Sequence, residues 1–195
     1  ETSEGIAQAF LAAGITLRLG ETARRVSRAD DGTVSLALDS GAILTASELL
    51  VAVGRTPETS EIGLEQAGVR LTDRGFIAVD EYLRTSAERV WAAGDAAGTP
   101  QFTHASYDDY RVLATNLAAQ AGQGELRSTQ GRLIPYCVFT TPELARVGLT
   151  EAEARAAGYD VRIARMPVAA IPRARTIGHL EGTWTAVIDR DSRQI

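Results

Sequence analysis

The chain has 195 residues, of which 45% are hydrophobic, and a formal net charge of −5. That is enough apolar material to bury a core, while the acidic balance argues against a nucleic-acid partner, which wants a basic face. A single cysteine, Cys137, excludes an internal disulfide and a multi-cysteine metal site; no apolar run approaches the roughly 18 residues of a membrane span, and Glu1-Thr2-Ser3-Glu4-Gly5 has no basic leader pattern, so a globular, cytoplasmic protein without membrane contact is expected.

Residues 1–13 read as a helix. Ile6, Phe10 and Leu11 share one face, and Ala7, Ala9, Ala12 and Ala13 are good formers. Gly14 stands where a glycine closes a helix, and Ile15-Thr16-Leu17-Arg18-Leu19 follows as a strand. Helix, glycine and strand make half of a βαβ unit. A meander comes next, with strands at residues 24–28, 33–38 and 42–45 and turns at Asp31-Gly32 and Ser40-Gly41. Leu49-Leu50-Val51-Ala52-Val53 is apolar without alternation, as a strand covered on both faces would be. It ends in Gly54-Arg55-Thr56-Pro57, either a plain turn or a place where backbone approaches a ligand closely.

Residues 59–68 are polar, with a short helix at Leu64-Glu65-Gln66-Ala67 stopped by Gly68, and Phe76-Ile77-Ala78-Val79 is a brief strand. Val90-Trp91-Ala92 reads as a short apolar strand that stops at Gly94 and presents Asp95 at its carboxyl end. In open α/β sheets, ligands bind at the carboxyl ends of strands. Eight residues later Thr103-His104-Ala105-Ser106 opens a helix running to about Gln120. Tyr107, Tyr110, Val112, Leu113, Leu117 and Ala118 form its apolar stripe, and Asp108 and Asp109 sit early, where acid suits the dipole. A helix start offers free N–H donors and partial positive charge. One side of a pocket here can therefore hold hydroxyls, and the other an electron-rich carbonyl or anion.

Ala121-Gly122-Gln123-Gly124-Glu125 looks like a linker, with a domain boundary near residues 124–131. Beyond it come a strand at residues 134–139, a helix opened by the capping-box pattern Thr150-Glu151-Ala152-Glu153 and closed by Gly158, and strands at residues 161–165 and 184–188 around a basic loop, Pro172-Arg173-Ala174-Arg175. Asp189-Arg190-Asp191-Ser192 is a turn. This is an antiparallel α+β pattern, distinct from what precedes it. The helix at the start lacks a preceding strand and the final strand lacks its successor, so a fragment of a longer protein is expected.

Three ordered motifs carry a family resemblance. Leu50-Val51-Ala52-Val53-Gly54-Arg55-Thr56-Pro57 resembles the A-x-G-R-x-P segment of the flavin-dependent pyridine nucleotide–disulfide oxidoreductases. Thr85-Ser86 with Val90-Trp91-Ala92-Ala93-Gly94-Asp95 resembles their second FAD motif. Val138-Phe139-Thr140-Thr141-Pro142-Glu143 with Val147-Gly148-Leu149-Thr150-Glu151 resembles the opening of their interface domain. Within the family, Gln101-Phe102-Thr103-His104, Asp108-Asp109-Tyr110-Arg111 and residues 167–175 look most like the reactive-chlorine-resistance and mercuric-reductase branch.

The resemblance implies a fold of the α/β class: partial FAD- and NAD(P)-binding Rossmann-like domains with a β-meander, followed by an incomplete α+β dimerisation domain. Residues 1–55 would be the second half of the NAD(P)-binding domain, 56–122 the closing segment of the FAD-binding domain, and 132–195 the start of the interface domain of a homodimer. Carried over residue by residue, Asp95, after Gly94, would accept hydrogen bonds from the ribityl chain of FAD. Backbone N–H groups near Thr103 and His104 would face the flavin N1/C2 carbonyl. Gly54, with Val53 beside it, would lie against the nicotinamide nucleotide of NAD(P)H, with Arg55 helping to position it. The parent would pass hydride from NAD(P)H through FAD to a disulfide or metal-ion acceptor; an NADH oxidase or peroxidase, a dihydrolipoamide dehydrogenase, and a non-catalytic dimerising module are the alternatives.

The sequence also bounds this reading. It has no G-x-G-x-x-G fingerprint and no cysteine pair, so no catalytic residue is assigned within it, and the family's C-terminal His-Glu pair would lie beyond Ile195; the chain alone is expected to be inactive. Asp95 can alternatively cap the turn that follows it, and His104 can meet flavin through its backbone alone. Cys137 reads as a small buried hydrophobe, His179 as exposed, and Arg173 and Arg175 as a solvated pair or one that meets acids of a partner subunit.

Overall fold

The computed structural model describes residues 2–195. The first helix, α1 (Thr2–Ala12), matches the expected segment, of which Glu1 lies outside the described residues. Gly14 adopts φ +80°. Its N–H donates to Leu11 O (3.0 Å), and Ile15 N–H reaches back to Phe10 O (2.9 Å), the paired bonds of a glycine-closed helix end.

The meander forms as expected, with strands β1 (Ala23–Arg28), β2 (Val34–Leu38) and β3 (Ile43–Ala46) in one antiparallel sheet of that order. Val26 faces Leu36 and Leu36 faces Leu44 across the ladders, so the apolar residues of the central strand line one face. Val34 and Leu38 are buried on it. In the first turn Asp31 accepts the Thr33 N–H at 2.9 Å. That bond and a side-chain contribution from Thr33 hold its carboxyl below the usual aspartate range.

Two expected strands are corrected. Neither 15–19 nor 49–53 is a strand, and Leu19, Leu50 and Val53 are 80%, 88% and 90% exposed. No strand among the described residues pairs with either segment. A strand becomes a regular element only when a neighbour takes up its N–H and C=O groups, so an apolar run alone does not fold into one.

By backbone proximity the chain divides into two units. One comprises the residues up to Val53 together with Cys137–Ala145 and Leu149–Ile195; the other is Gly54–Tyr136 with Arg146–Gly148. The second unit is held by short antiparallel contacts and one long helix, α2 (Thr103–Gln120). The expected strand at Phe76 is a single bridge, Leu71 to Ile77, and Val90-Trp91-Ala92 is one side of a tight hairpin bridged at Trp91 to Arg84. Leu64-Glu65-Gln66-Ala67 makes one turn, not a helix; in it Gly68 N–H and Val69 N–H turn back to Glu65 O and Leu64 O. Val69, Leu83, Ala92, Ala105 and Val112 are the buried apolar residues of this unit.

The stripe expected for α2 also needs correcting. Its buried face is Ala105, Asp109, Val112 and Asn116, spaced at four, three and four residues as one helix face requires. Tyr107 and Tyr110 are exposed and lie against each other, with ring centroids 5.6 Å apart. Two polar side chains thus replace tyrosines on the inner face, and each has partners that make burial tolerable. Asn116 Nδ2 donates to Arg127 O (3.0 Å), and its Oδ1 accepts Arg127 N–H (2.7 Å). The segment expected as a domain boundary, residues 124–131, is thereby clasped to α2, and Thr129 N–H adds a bond to Glu81 O at 2.8 Å.

Beyond it, β4 (Tyr136–Val138) pairs with β5 (Leu144–Arg146), a strand the sequence pattern does not single out. Cys137 is half-buried in β4. The capping box at Thr150 opens α3 (Glu151–Ala156) as expected, with Glu153 N–H donating to Thr150 Oγ1 at 3.1 Å and Thr150 N–H to Glu153 Oε2 at 2.7 Å. β6 (Val161–Pro167) and β7 (Thr183–Asp189) form an antiparallel pair. Between them the expected basic loop is instead a short helix, α4 (Pro172–Ile177), because proline suits a first helical position. Arg173 and His179 are exposed, while Arg175 Nε donates to Ala169 O at 2.6 Å.

Candidate functional site

Gly94 opens a 3₁₀ turn, Gly94–Ala97, directly after the hairpin. Its φ is +66°, and a Cβ at this position would stand 2.5 Å from Ser106 Oγ. Only glycine takes that conformation without strain and also lets the turn lie on the first residues of α2. The buried Gly94 N–H donates to Asp109 Oδ2 at 2.7 Å.

Asp95 follows, with its side chain 52% exposed. It caps nothing: the turn's N-cap is Ala93 and no side chain bonds there. Its nearest charged partner is Arg55, whose Nη1 stands 3.7 Å from Asp95 Oδ2, with both groups well exposed. Such a pair contributes little to stability. The Asp95 carboxylate therefore keeps acceptor capacity on the surface of this unit.

Thr103 and His104 are the first two residues of α2, and no side chain caps that end. The first backbone bond into the helix is Ser106 N–H to Phe102 O at 3.1 Å, which leaves the N–H groups of Thr103, His104 and Ala105 as free donors at the positive end of an 18-residue helix. The His104 ring is engaged elsewhere. Its Nε2–H donates to Pro135 O, and Phe102 stacks between it and Tyr136, with centroid distances of 5.5 and 5.4 Å. One ring nitrogen is thereby taken up, and the His104 backbone N–H remains without a partner at the helix start.

Gly54 has φ +120° with open space where a Cβ would point. Arg55 and Asp95 are thus brought together, and Gly94 is packed on the start of α2 that bears Thr103 and His104. Val53, exposed and unpaired, falls in the other unit.

Sequence patterning misses the group at the centre of this arrangement. Asp109 is fully buried. Besides Gly94 N–H it accepts Thr99 Oγ1 (Oδ2, 2.6 Å) and Arg132 Nη1 (Oδ1, 2.6 Å). Its neighbour Asp108 takes Arg127 Nη2 at 2.7 Å and Arg132 Nη1 at 3.3 Å. A signal is present: Asp109 is in helical phase with Ala105 and Val112, which an acid serving only the dipole would not need.

A donor row on a helix start beside an acceptor carboxylate suits a ligand that offers hydroxyls to one and a carbonyl or anion to the other. FAD has both, and the residues present fit it.

Comparison with known proteins agrees with the motifs. The family model for pyridine nucleotide-disulphide oxidoreductases matches residues 1–109, and the model for their dimerisation domain matches residues 134–195. Among curated proteins, the chain is 41% identical over 152 residues to the probable pyridine nucleotide-disulfide oxidoreductase RclA of Escherichia coli (78% of this chain, 34% of the relative). It is 39% identical to a dihydrolipoyl dehydrogenase of Thermus scotoductus (98% and 41%) and 33% identical to a mercuric reductase of Staphylococcus aureus (100% and 35%). A solved structure of the HOCl-induced flavoprotein disulfide reductase RclA from Escherichia coli superposes with a TM-score of 0.87 at 36% identity, covering 99% of this chain and 43% of that one. The chain spans about a third to two fifths of the length of these curated relatives.

Proposed function

The chain belongs to the pyridine nucleotide-disulphide oxidoreductase family, and from that premise we propose that it forms cofactor-binding walls and part of the dimer interface of a flavoprotein that passes hydride from NAD(P)H through FAD to a disulfide or metal-ion acceptor. The α/β class agrees with the mixture of helices and strands and with the likeness to RclA. One observation carries the reading: a half-exposed Asp95 carboxylate sits on a turn anchored by Gly94 to the helix whose uncapped start is Thr103-His104.

When bound, FAD supplies the two-electron redox chemistry that protein side chains lack. The chain's own residues bind and orient. Asp95 accepts hydrogen bonds from the ribityl hydroxyls. The N–H groups of Thr103 and His104 donate toward the flavin N1/C2 carbonyl, where a helix start stabilises negative charge with fixed dipoles. Gly54, lacking a Cβ, admits the nicotinamide nucleotide close to backbone, flanked by Val53 and Arg55. Residues 1–55 serve the NAD(P) side, 56–122 the FAD side, and 132–195 a homodimer interface. With one cysteine, the 195 residues alone hold no dithiol and are inactive by themselves.

The 39% identity to a dihydrolipoyl dehydrogenase supports a second reading within the same chemistry, in which a small dithiol is the electron partner. Ultraviolet–visible spectroscopy of the full-length protein tests the flavin chemistry that both share. Flavin absorbance that bleaches with NADH or NADPH is expected. A purified, folded dimer with no flavin absorbance and no affinity for FAD would overturn the proposal and favour a non-catalytic dimerising module.

A further inference from the structure

We propose that the buried Asp109 carboxylate is the positioning residue of the flavin site: it ties the Gly94–Asp95 turn to the first turns of α2 and so holds the Asp95 acceptor and the helix-start donors as one wall. The proposal rests on Asp95 being the ribityl acceptor.

Three donors converge on Asp109 from two stretches of chain. Gly94 N–H enters at the start of the turn (2.7 Å), Thr99 Oγ1 at its exit (2.6 Å), and Arg132 Nη1 from the segment after α2 (2.6 Å). All are shielded: Gly94 and Thr99 are buried, and the Arg132 side chain is 17% exposed. A carboxylate taken out of water needs its lone pairs satisfied, and these three donors satisfy it. Asp109 is fully buried; its effect passes through Gly94, the residue bonded directly to Asp95. Gly94 N–H and Thr99 Oγ1 tie both ends of that turn to Asp109, so losing the anchor frees Asp95 to shift relative to the Thr103-His104 donors. Arg132 also bonds Asp108 at 3.3 Å, which links the segment leading to the dimerisation part of the chain to the same pair of carboxylates.

Asparagine at 109 keeps the shape but turns one acceptor into a donor. Whichever way the amide is set, it opposes either Gly94 N–H or Arg132. In the full-length flavoprotein we expect Asp109→Asn to raise the FAD dissociation constant about tenfold or more and to shift the visible spectrum and reduction potential of the flavin that remains bound. Arg132→Ala should act in the same direction, with Arg132→Lys restoring most of the loss. Asp95→Asn is measured alongside. If Asp95→Asn weakens FAD binding while Asp109→Asn and Arg132→Ala keep wild-type affinity, spectrum and potential, the positioning role is overturned and the Asp95 assignment stands. A loss of thermal stability alone in Asp109→Asn and Arg132→Ala overturns the positioning role equally. If Asp95→Asn leaves FAD binding unchanged, the assignment falls and the positioning role with it. Should Asp109→Asn not fold, Thr99→Val and Arg132→Ala decide by the same criteria.

Discussion

Gly94 shows how one residue type fixes a site. Alanine there would have to hold φ near +66° and place its Cβ 2.5 Å from Ser106 Oγ. The left-handed conformation alone costs a non-glycine residue about 1–2 kcal/mol, and the clash adds to it. Gly94→Ala should therefore lower the thermal unfolding midpoint of the full-length protein and weaken FAD retention. Adding Ser106→Ala should recover the part due to the Oγ contact and leave the part due to φ and to the Ser106 Cβ, 3.2 Å from the added Cβ. A Gly94→Ala protein as stable as wild type, by calorimetry, would show that the turn does not hold the conformation described. At this scale the sequence is informative about Gly94 and Asp95 and nearly silent about Asp109. A glycine before a carboxylate at the end of an apolar run is a local pattern. The role of Asp109 depends on Arg132, 23 residues further on, and no local spacing announces that pairing.

Among the elements, α2 carries the site, and its burial is unusual in relying on two polar side chains. Asn116 satisfies both backbone groups of Arg127. Asn116→Ala should destabilise by about 1–3 kcal/mol, toward the lower end because Arg127 is only half-buried. It should also speed proteolytic nicking across residues 124–127, since the clasp supplies both backbone bonds of Arg127. Unchanged nicking would mean that the Thr129–Glu81 bond suffices. Elements defined by local chemistry are legible from sequence: the meander turns, the glycine closing α1, the capping box of α3 and the start of α2. Elements completed by distant neighbours are not. The runs 15–19 and 49–53 have strand composition but no pairing strand among the described residues, and the apparent α2 stripe misleads because the tyrosines that look like core face solvent.

For the molecule as a whole, the family model matches residues 1–109 and the dimerisation-domain model residues 134–195. Composition sets the class early, but the exposure of the apolar runs, among them Leu50, Val51 and Val53 at 88%, 69% and 90%, is invisible to a reading that assumes their neighbours. On the proposed function, Asp95 and the start of α2 form the flavin-facing wall. The most direct test of this is the crystal structure of the full-length protein with FAD bound. Ribityl hydroxyls are expected within hydrogen-bond distance of the Asp95 carboxylate, with the flavin C2 carbonyl facing the N–H groups of Thr103 and His104. A bound flavin whose ribityl chain and C2 carbonyl meet other residues would contradict it.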